Sequence, residues 1–195
     1  MNRFSLLGLA GAALLIALTA CGTPQTPSPP SAPTAAAPTS SPFPPRPSEL
    51  RLNGLNPCVL LTSAQERKLG VVATAPVQQP GGPGTTSCNW FSDEGPSNGW
   101  TAQTDVSKGA PATLDSSVPT QIVQVDGFSA IQGATPVGHP EGYCALFIDV
   151  AQSQYLSVAY DTDNNEIPGM NHQVACQQAT KVATFMIQNL RALAR

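Results

Sequence analysis

Charge is scarce in this chain. Lys, Arg, Asp and Glu together make up 11% of its 195 residues, against about a quarter in an ordinary globular protein. The bases are scattered singly and the net charge is only −3. That leaves no footprint for phosphate neutralisation and no field to steer a charged partner, so nucleic acid is excluded as a partner. Histidine is nearly as rare, with His139 and His172 the two instances. A hydrolase needs a nucleophile beside a base that a third group holds. His139 falls in a run of turn formers, Gly138-His139-Pro140-Glu141-Gly142, and His172 at the start of a helix, so both read as exposed loop or cap residues. No Cys-x-x-Cys pair offers itself to zinc. Catalytic residues, cofactors and metal ligands are therefore all assigned as none.

Long apolar runs are absent except at the start. Arg3 supplies a short positive segment, and residues 4–18 (FSLLGLAGAALLIAL) form an apolar stretch. The stretch falls somewhat short of the about 20 residues that a stable bilayer span needs. It ends in Leu18-Thr19-Ala20-Cys21, which resembles the lipobox of bacterial lipoproteins. The resemblance implies that residues 1–20 are a signal peptide and that Cys21 becomes a diacylated amino terminus. Two acyl chains suffice for stable anchoring, where one binds only marginally. The expected partner is thus the membrane, through a lipid (palmitate-type) anchor on Cys21, at its extracytoplasmic face.

Residues 21–48 hold half of the chain's 20 prolines and a single aromatic residue, Phe43. Such a segment buries too little apolar surface to offset its ordering entropy, which predicts a disordered spacer. Leaning toward polyproline II at about 3.1 Å per residue, it reaches about 80 Å at most. A PxxP ligand reading has no support beyond the prolines themselves.

Residues 49–195 make one domain's worth of chain. Thr62 followed by Gln65 forms a capping-box pattern, with Gly70 placed to end the helix. Segments 87–92 and 100–106 flank a loop of turn formers at 93–99 and read as a hairpin. Shorter strand candidates, 121–125 and 128–132, flank Asp126-Gly127, and 144–150 with 155–161 form the best alternating pair. From about residue 171 to 193, Ala175, Ala179, Val182, Ala183, Met186, Leu190 and Leu193 recur at three- and four-residue steps, one stripe for packing on a sheet. The expected class is α+β: an antiparallel sheet flanked by a short N-terminal helix and a long C-terminal helix, with two disulfides.

The disulfides follow from arithmetic. With Cys21 lipidated, Cys58, Cys88, Cys144 and Cys176 remain, an even number that allows three pairings in an exported domain. The favoured pairing is Cys58–Cys88 with Cys144–Cys176, because each bridge then ties a terminal helix region to a strand. A metal site would use His172 and Cys176 with another Cys, which an oxidising compartment disfavours.

Other constellations carry less. Asp93/Glu94 and Asp161/Asp163 could serve as carboxylate pairs, but both sit in turn-like segments where acids are common for conformational reasons. The run from Asp161 to Glu166 opens like a calcium loop. It fails at the sixth position, where Glu166 replaces Gly, and at the twelfth, where His172 replaces the bidentate Glu. The Cys88, Trp100, Tyr143 and Cys144 spacing is loosely immunoglobulin-like, yet a long closing helix has no place in a two-sheet sandwich.

Several motifs together carry a family resemblance: Asn56-Pro57-Cys58-Val59-Leu60-Leu61-Thr62, Leu69-Gly70, Cys88-Asn89-Trp90, Tyr143-Cys144 and Ala175-Cys176-Gln177-Gln178-Ala179. The chain resembles the actinobacterial secreted lipoprotein family called domain of unknown function 3558. The resemblance implies the lipobox, the four-cysteine framework and a helix–sheet–helix order, and it brings no activity. The expected function is a non-catalytic envelope module that binds a small ligand or another envelope protein. The alternative is an envelope hydrolase using carboxylates or His139. A deep pocket lined by Trp90, Trp100, Phe147 and Tyr155 would favour binding, and carboxylates converging in a cleft would favour hydrolysis.

Overall fold

A computed structural model of the chain describes residues 43–77, 83–93, 98–114, 120–133, 141–162 and 167–194. The expected signal peptide, Cys21, the expected spacer up to residue 42, Glu94, His139 and Asp163 lie outside them.

The domain opens with a 3-10 turn at Pro57–Val59 and helix α1 at Ser63–Lys68. Thr62 caps α1 through a complete capping box: its side chain accepts from the Gln65 backbone N–H while the Gln65 side chain accepts from that of Thr62. Gly70, at φ +70°, takes the left-handed conformation that ends the helix. Seven strands follow, β1 (Val71–Pro76), β2 (Thr85–Ser92), β3 (Asn98–Asp105), β4 (Thr120–Val125), β5 (Phe128–Gly133), β6 (Cys144–Ala151) and β7 (Gln154–Thr162). Helix α2 (His172–Leu193) closes the chain.

All strand pairs are antiparallel, in the order β1-β2-β3-β7-β6-β5-β4. Two meanders, β1–β3 and β4–β7, are therefore joined by pairing the last strand of each, with Trp100 opposite Tyr160 and Asp105 opposite Tyr155. The result is the α+β class expected: an antiparallel sheet, a short helix before it, a long helix after it and two disulfides.

Alternation sorts the strand residues onto two faces. One face carries Trp90, Trp100, Ala102, Leu146, Ile148, Leu156 and Val158, and α2 packs on it with Ala175, Ala179, Val182, Ala183, Met186, Ile187 and Leu190 in the same buried cluster. The stripe expected on α2 is present, but its last member is not buried. Leu193 is 59% exposed in the helix's last turn.

The opposite face holds a smaller cluster of Phe43, Ala110, Ile131 and Tyr155 with Phe147 against it. Phe43 is only 7% exposed, although composition places it in the spacer. Arg46, also from that stretch, pairs with Asp149 at 2.6 Å and with Glu49 at 2.9 Å. Glu49 in turn accepts from the Gln152 backbone N–H at 3.0 Å. The tail of the proline-rich segment is thus docked on the sheet.

The bridges are Cys58–Cys88, which ties the 3-10 turn to β2, and Cys144–Cys176, which ties β6 to α2. With partners 30 and 32 positions apart in sequence, closing each loop is worth about 3–4 kcal/mol in the chain-entropy picture.

Candidate functional site

The four aromatic side chains whose shared pocket would have favoured binding do not meet. Trp90 is fully buried beneath α1, and its indole N–H donates to Glu66 Oε1 at 3.0 Å. Trp100, on the same face, tilts against Tyr160 with ring centroids 5.3 Å apart. Phe147 and Tyr155 stand edge to face on the opposite side of the sheet, 5.7 Å apart. Strand alternation separates the pairs, because Trp90 and Trp100 occupy the face that α2 covers and the other two the opposite one.

A cavity of about 570 Å³ lies elsewhere, at the end of the sheet where β1, β2 and β3 meet the segment before α1. Leu52, Leu55, Pro57, Pro76, Val77 and Val106 give it apolar walls. Its polar groups are few: Thr86 and Thr104 share a hydrogen bond at 2.6 Å, and Thr86 Oγ1 also donates to the Leu55 carbonyl at 3.3 Å. The Cys58–Cys88 bridge fixes the wall that carries Pro57 to the strand that carries Thr86. None of the described lining residues has a side chain that ionises near neutrality. A site of this size and lining suits a small neutral molecule, with hydroxyls to orient it.

A second, smaller cavity of about 200 Å³ is polar, bounded by Lys68, Ser92, Asp93, Trp100, Gln178 and Lys181 among others. Asp93 is a turn residue there, its backbone N–H bonded to the Gly70 carbonyl at 3.0 Å. Its expected partner Glu94 lies outside the described residues. Asp161 stands within β7, near its end, and Asp163 also falls outside.

His172 departs from the expectation of an exposed cap. Asn171 caps α2, its side chain accepting from the Val174 N–H at 3.0 Å. His172 is the first helical residue, and its ring lies between Tyr143 and Cys176. Nδ1 is 2.8 Å from the Tyr143 carbonyl oxygen and Nε2 is 3.5 Å from Cys176 Sγ. The i, i+4 spacing puts His172 and Cys176 on one helix face, and the bridge to Cys144 brings Tyr143 alongside. The donor atoms of Cys144, His172 and Cys176 lie within 4.8 Å of one another, but the two sulfurs are bonded to each other, so neither is the thiolate that a metal takes.

The sequence holds one hydrolase-like spacing, contrary to the expectation that no Gly-x-Ser-x-Gly elbow occurs. Residues 95–99 read GPSNG, which fits the Gly-x-Ser-x-Gly of a nucleophile elbow. Asn98 and Gly99 open β3, and the strands on either side, β2 and β3, pair antiparallel, whereas the elbow leads from a strand into a helix. Ser97 itself lies outside the described residues, as does His139.

No curated protein matches this chain, and no solved structure does. A family match spans residues 16–189, from the end of the apolar leader to the penultimate turn of α2. The chain belongs to the family described as Protein of unknown function (DUF3558).

Proposed function

We propose that the chain is an actinobacterial envelope lipoprotein, held at the extracytoplasmic face of the membrane by acylated Cys21, whose domain binds a small neutral ligand without transforming it. The lipobox-like Leu18-Thr19-Ala20-Cys21 supports the anchor and the proline-rich stretch supports a stand-off from the membrane. Among the described residues, no helix is long and apolar enough to cross a membrane. The observation that carries the binding reading is the cavity of about 570 Å³, walled by Leu52, Leu55, Pro76 and Val106 and free of ionisable lining among the described residues. Acid–base catalysis needs a titratable group within reach of its substrate, and this cavity offers hydroxyls instead.

The test is binding of a neutral, environment-sensitive dye such as Nile red, together with mass spectrometry of molecules that co-purify with the protein. Leu55→Trp fills the cavity with an indole. It should weaken dye binding at least about tenfold, the loss expected when a binding site of this kind is occluded, and should empty the protein of co-purified ligand while leaving the unfolding midpoint in place. Equal binding by Leu55→Trp and the unaltered protein would overturn the assignment. An envelope-protein partner would emerge instead as a complex that survives the substitution.

A further inference from the structure

The two disulfides differ in what stands beside them. The described residues put no histidine against Cys58–Cys88, whereas Cys144–Cys176 has His172 Nε2 at 3.5 Å from Cys176 Sγ. The orientation of that ring follows from its other nitrogen. A carbonyl oxygen only accepts, so the 2.8 Å contact between Nδ1 and the Tyr143 carbonyl requires the proton on Nδ1. In the neutral ring, Nε2 then presents its lone pair to Cys176. Toward a disulfide sulfur this lone pair has nothing to receive. Toward a thiol it is a base in place.

Exposure makes the bridge asymmetric as well. Cys144, at the first position of β6, is 0% exposed, and Cys176 is 7% exposed. Both are buried, Cys176 the less completely, while Cys58 of the other bridge is only partly buried, so it is the histidine rather than exposure that sets Cys144–Cys176 apart.

We propose that Cys144–Cys176 is a thiol–disulfide exchange site, with Cys176 the sulfur that joins an external thiol, Cys144 the resolving sulfur and His172 the base that serves Cys176. The opening reagent is a dithiol. Its thiolate bonds to Cys176 Sγ, the Cys144–Cys176 bond breaks, and Cys144 leaves with the electron pair and takes a proton from solvent. The dithiol's second thiol then attacks its own linked sulfur. His172 Nε2 takes the proton of that second thiol, Cys176 departs as a thiolate and receives the proton back from His172, and the dithiol becomes a cyclic disulfide. In the reverse direction His172 Nε2 takes the Cys176 proton, and the thiolate attacks a low-molecular-weight disulfide RS–SR, releasing RS⁻, which is protonated. Cys144 attacks Cys176 Sγ in the mixed disulfide and expels the second RS⁻. The bridge is restored and two RSH have formed. Exchange proceeds through the thiolate, so the base sets the rate of the Cys176 half-reaction. The Cys58–Cys88 bridge is the structural control within the same molecule.

The experiment uses the full chain. Dithiothreitol opens the bridges, oxidised glutathione recloses them, and acid-quenched samples are alkylated and mapped by mass spectrometry. The readout is the ratio of rates at the two bridges, which a general loosening of the fold does not raise. The unaltered protein gives the reference ratio of the two rates. His172→Asn should slow reclosure of Cys144–Cys176 relative to the other bridge by at least about tenfold, the low side of what a positioned base contributes. A second measurement traps the intermediate: with Cys144→Ser, glutathione should accumulate on Cys176, and with Cys176→Ser little should appear on Cys144. A rate ratio unchanged by His172→Asn, or equal trapping on Cys144, would overturn the proposal.

Discussion

Two residues facing each other across β3 and β7 link the stability of the domain to pH. Burial by itself pushes the Asp105 carboxyl up. The Ser107 hydroxyl at 2.6 Å and backbone N–H at 2.8 Å, with Tyr155 and Lys108, outweigh burial and hold it below the usual carboxylate range. Its partner moves the other way: burial, then the charge of Asp105 and their hydrogen bond, push the Tyr155 phenol up to about 12. The depressed carboxyl stabilises the folded state above its unfolded value, and that contribution is lost as pH falls through the lower folded one. The raised phenol contributes fully below its unfolded value of about 10, and its share fades as pH climbs from there toward about 12. Tyr155→Phe removes a donor from a buried carboxylate. At pH 7 it should lower unfolding free energy by about 1–3 kcal/mol, as read by urea denaturation. Its stability should also decline less steeply above about pH 10. An alkaline decline as steep as in the unaltered protein would show that Asp105 and Tyr155 are not coupled.

At the scale of elements, α1 stands out because none of its residues is buried. A six-residue helix has little stability of its own, so α1 is held by side-chain latches. Glu66 Oε1 accepts from both the Trp90 indole at 3.0 Å and the Thr74 hydroxyl at 3.1 Å. Asn189 of α2 donates to the Leu60 carbonyl at 2.8 Å and to Gln65 Oε1 at 2.7 Å. Thr62→Ala removes one cap and should cost about 1 kcal/mol. Glu66→Ala strands a buried indole N–H and should cost more, about 1–3 kcal/mol. Urea unfolding and hydrogen exchange across α1 would compare them, and the reverse order would mean that the cap rather than Glu66 holds the helix. The capping box was legible because its signal is local, as were the hairpins around Asp126-Gly127 and residues 93–99 and the stripe on α2. β1 was not. It is an edge strand exposed at Val72, Ala73 and Thr74, so it shows no alternation, and it ends on Pro76, which an edge tolerates. Leu193 continues the helical period but is left exposed at the end of α2. Phe43 and Arg46 escape any compositional window, because single side chains rather than a pattern dock them. The cavity was illegible for another reason: its walls come from separate stretches that only β1–β2–β3 pairing and the Cys58–Cys88 bridge bring together. His172 looks like a cap in sequence, and only the Cys144 bridge reveals what its ring faces.

For the whole molecule, the anchor is the first thing to test. Cys21→Ser should abolish incorporation of labelled fatty acid and release the protein from membranes, and continued labelling would refute lipidation at Cys21. A different consequence lies in the strand order. β3 finds its second partner only in β7, Asn98 waiting for Thr162 and Asp105 for Tyr155. A polypeptide emerging amino end first can build β1–β3 and close Cys58–Cys88 early, since those contacts are local. It then holds β3 as a bare edge, with Trp100 and Ala102 uncovered, through the synthesis or passage of everything up to β7. Non-local pairing of this kind is slow, and unpaired edges are where chains stick to one another. The molecule is therefore most vulnerable in the interval between the arrivals of Asp105 and Tyr155. A chaperone that clasps extended segments would have its main task there, before a single strand docks and turns two half-sheets into one.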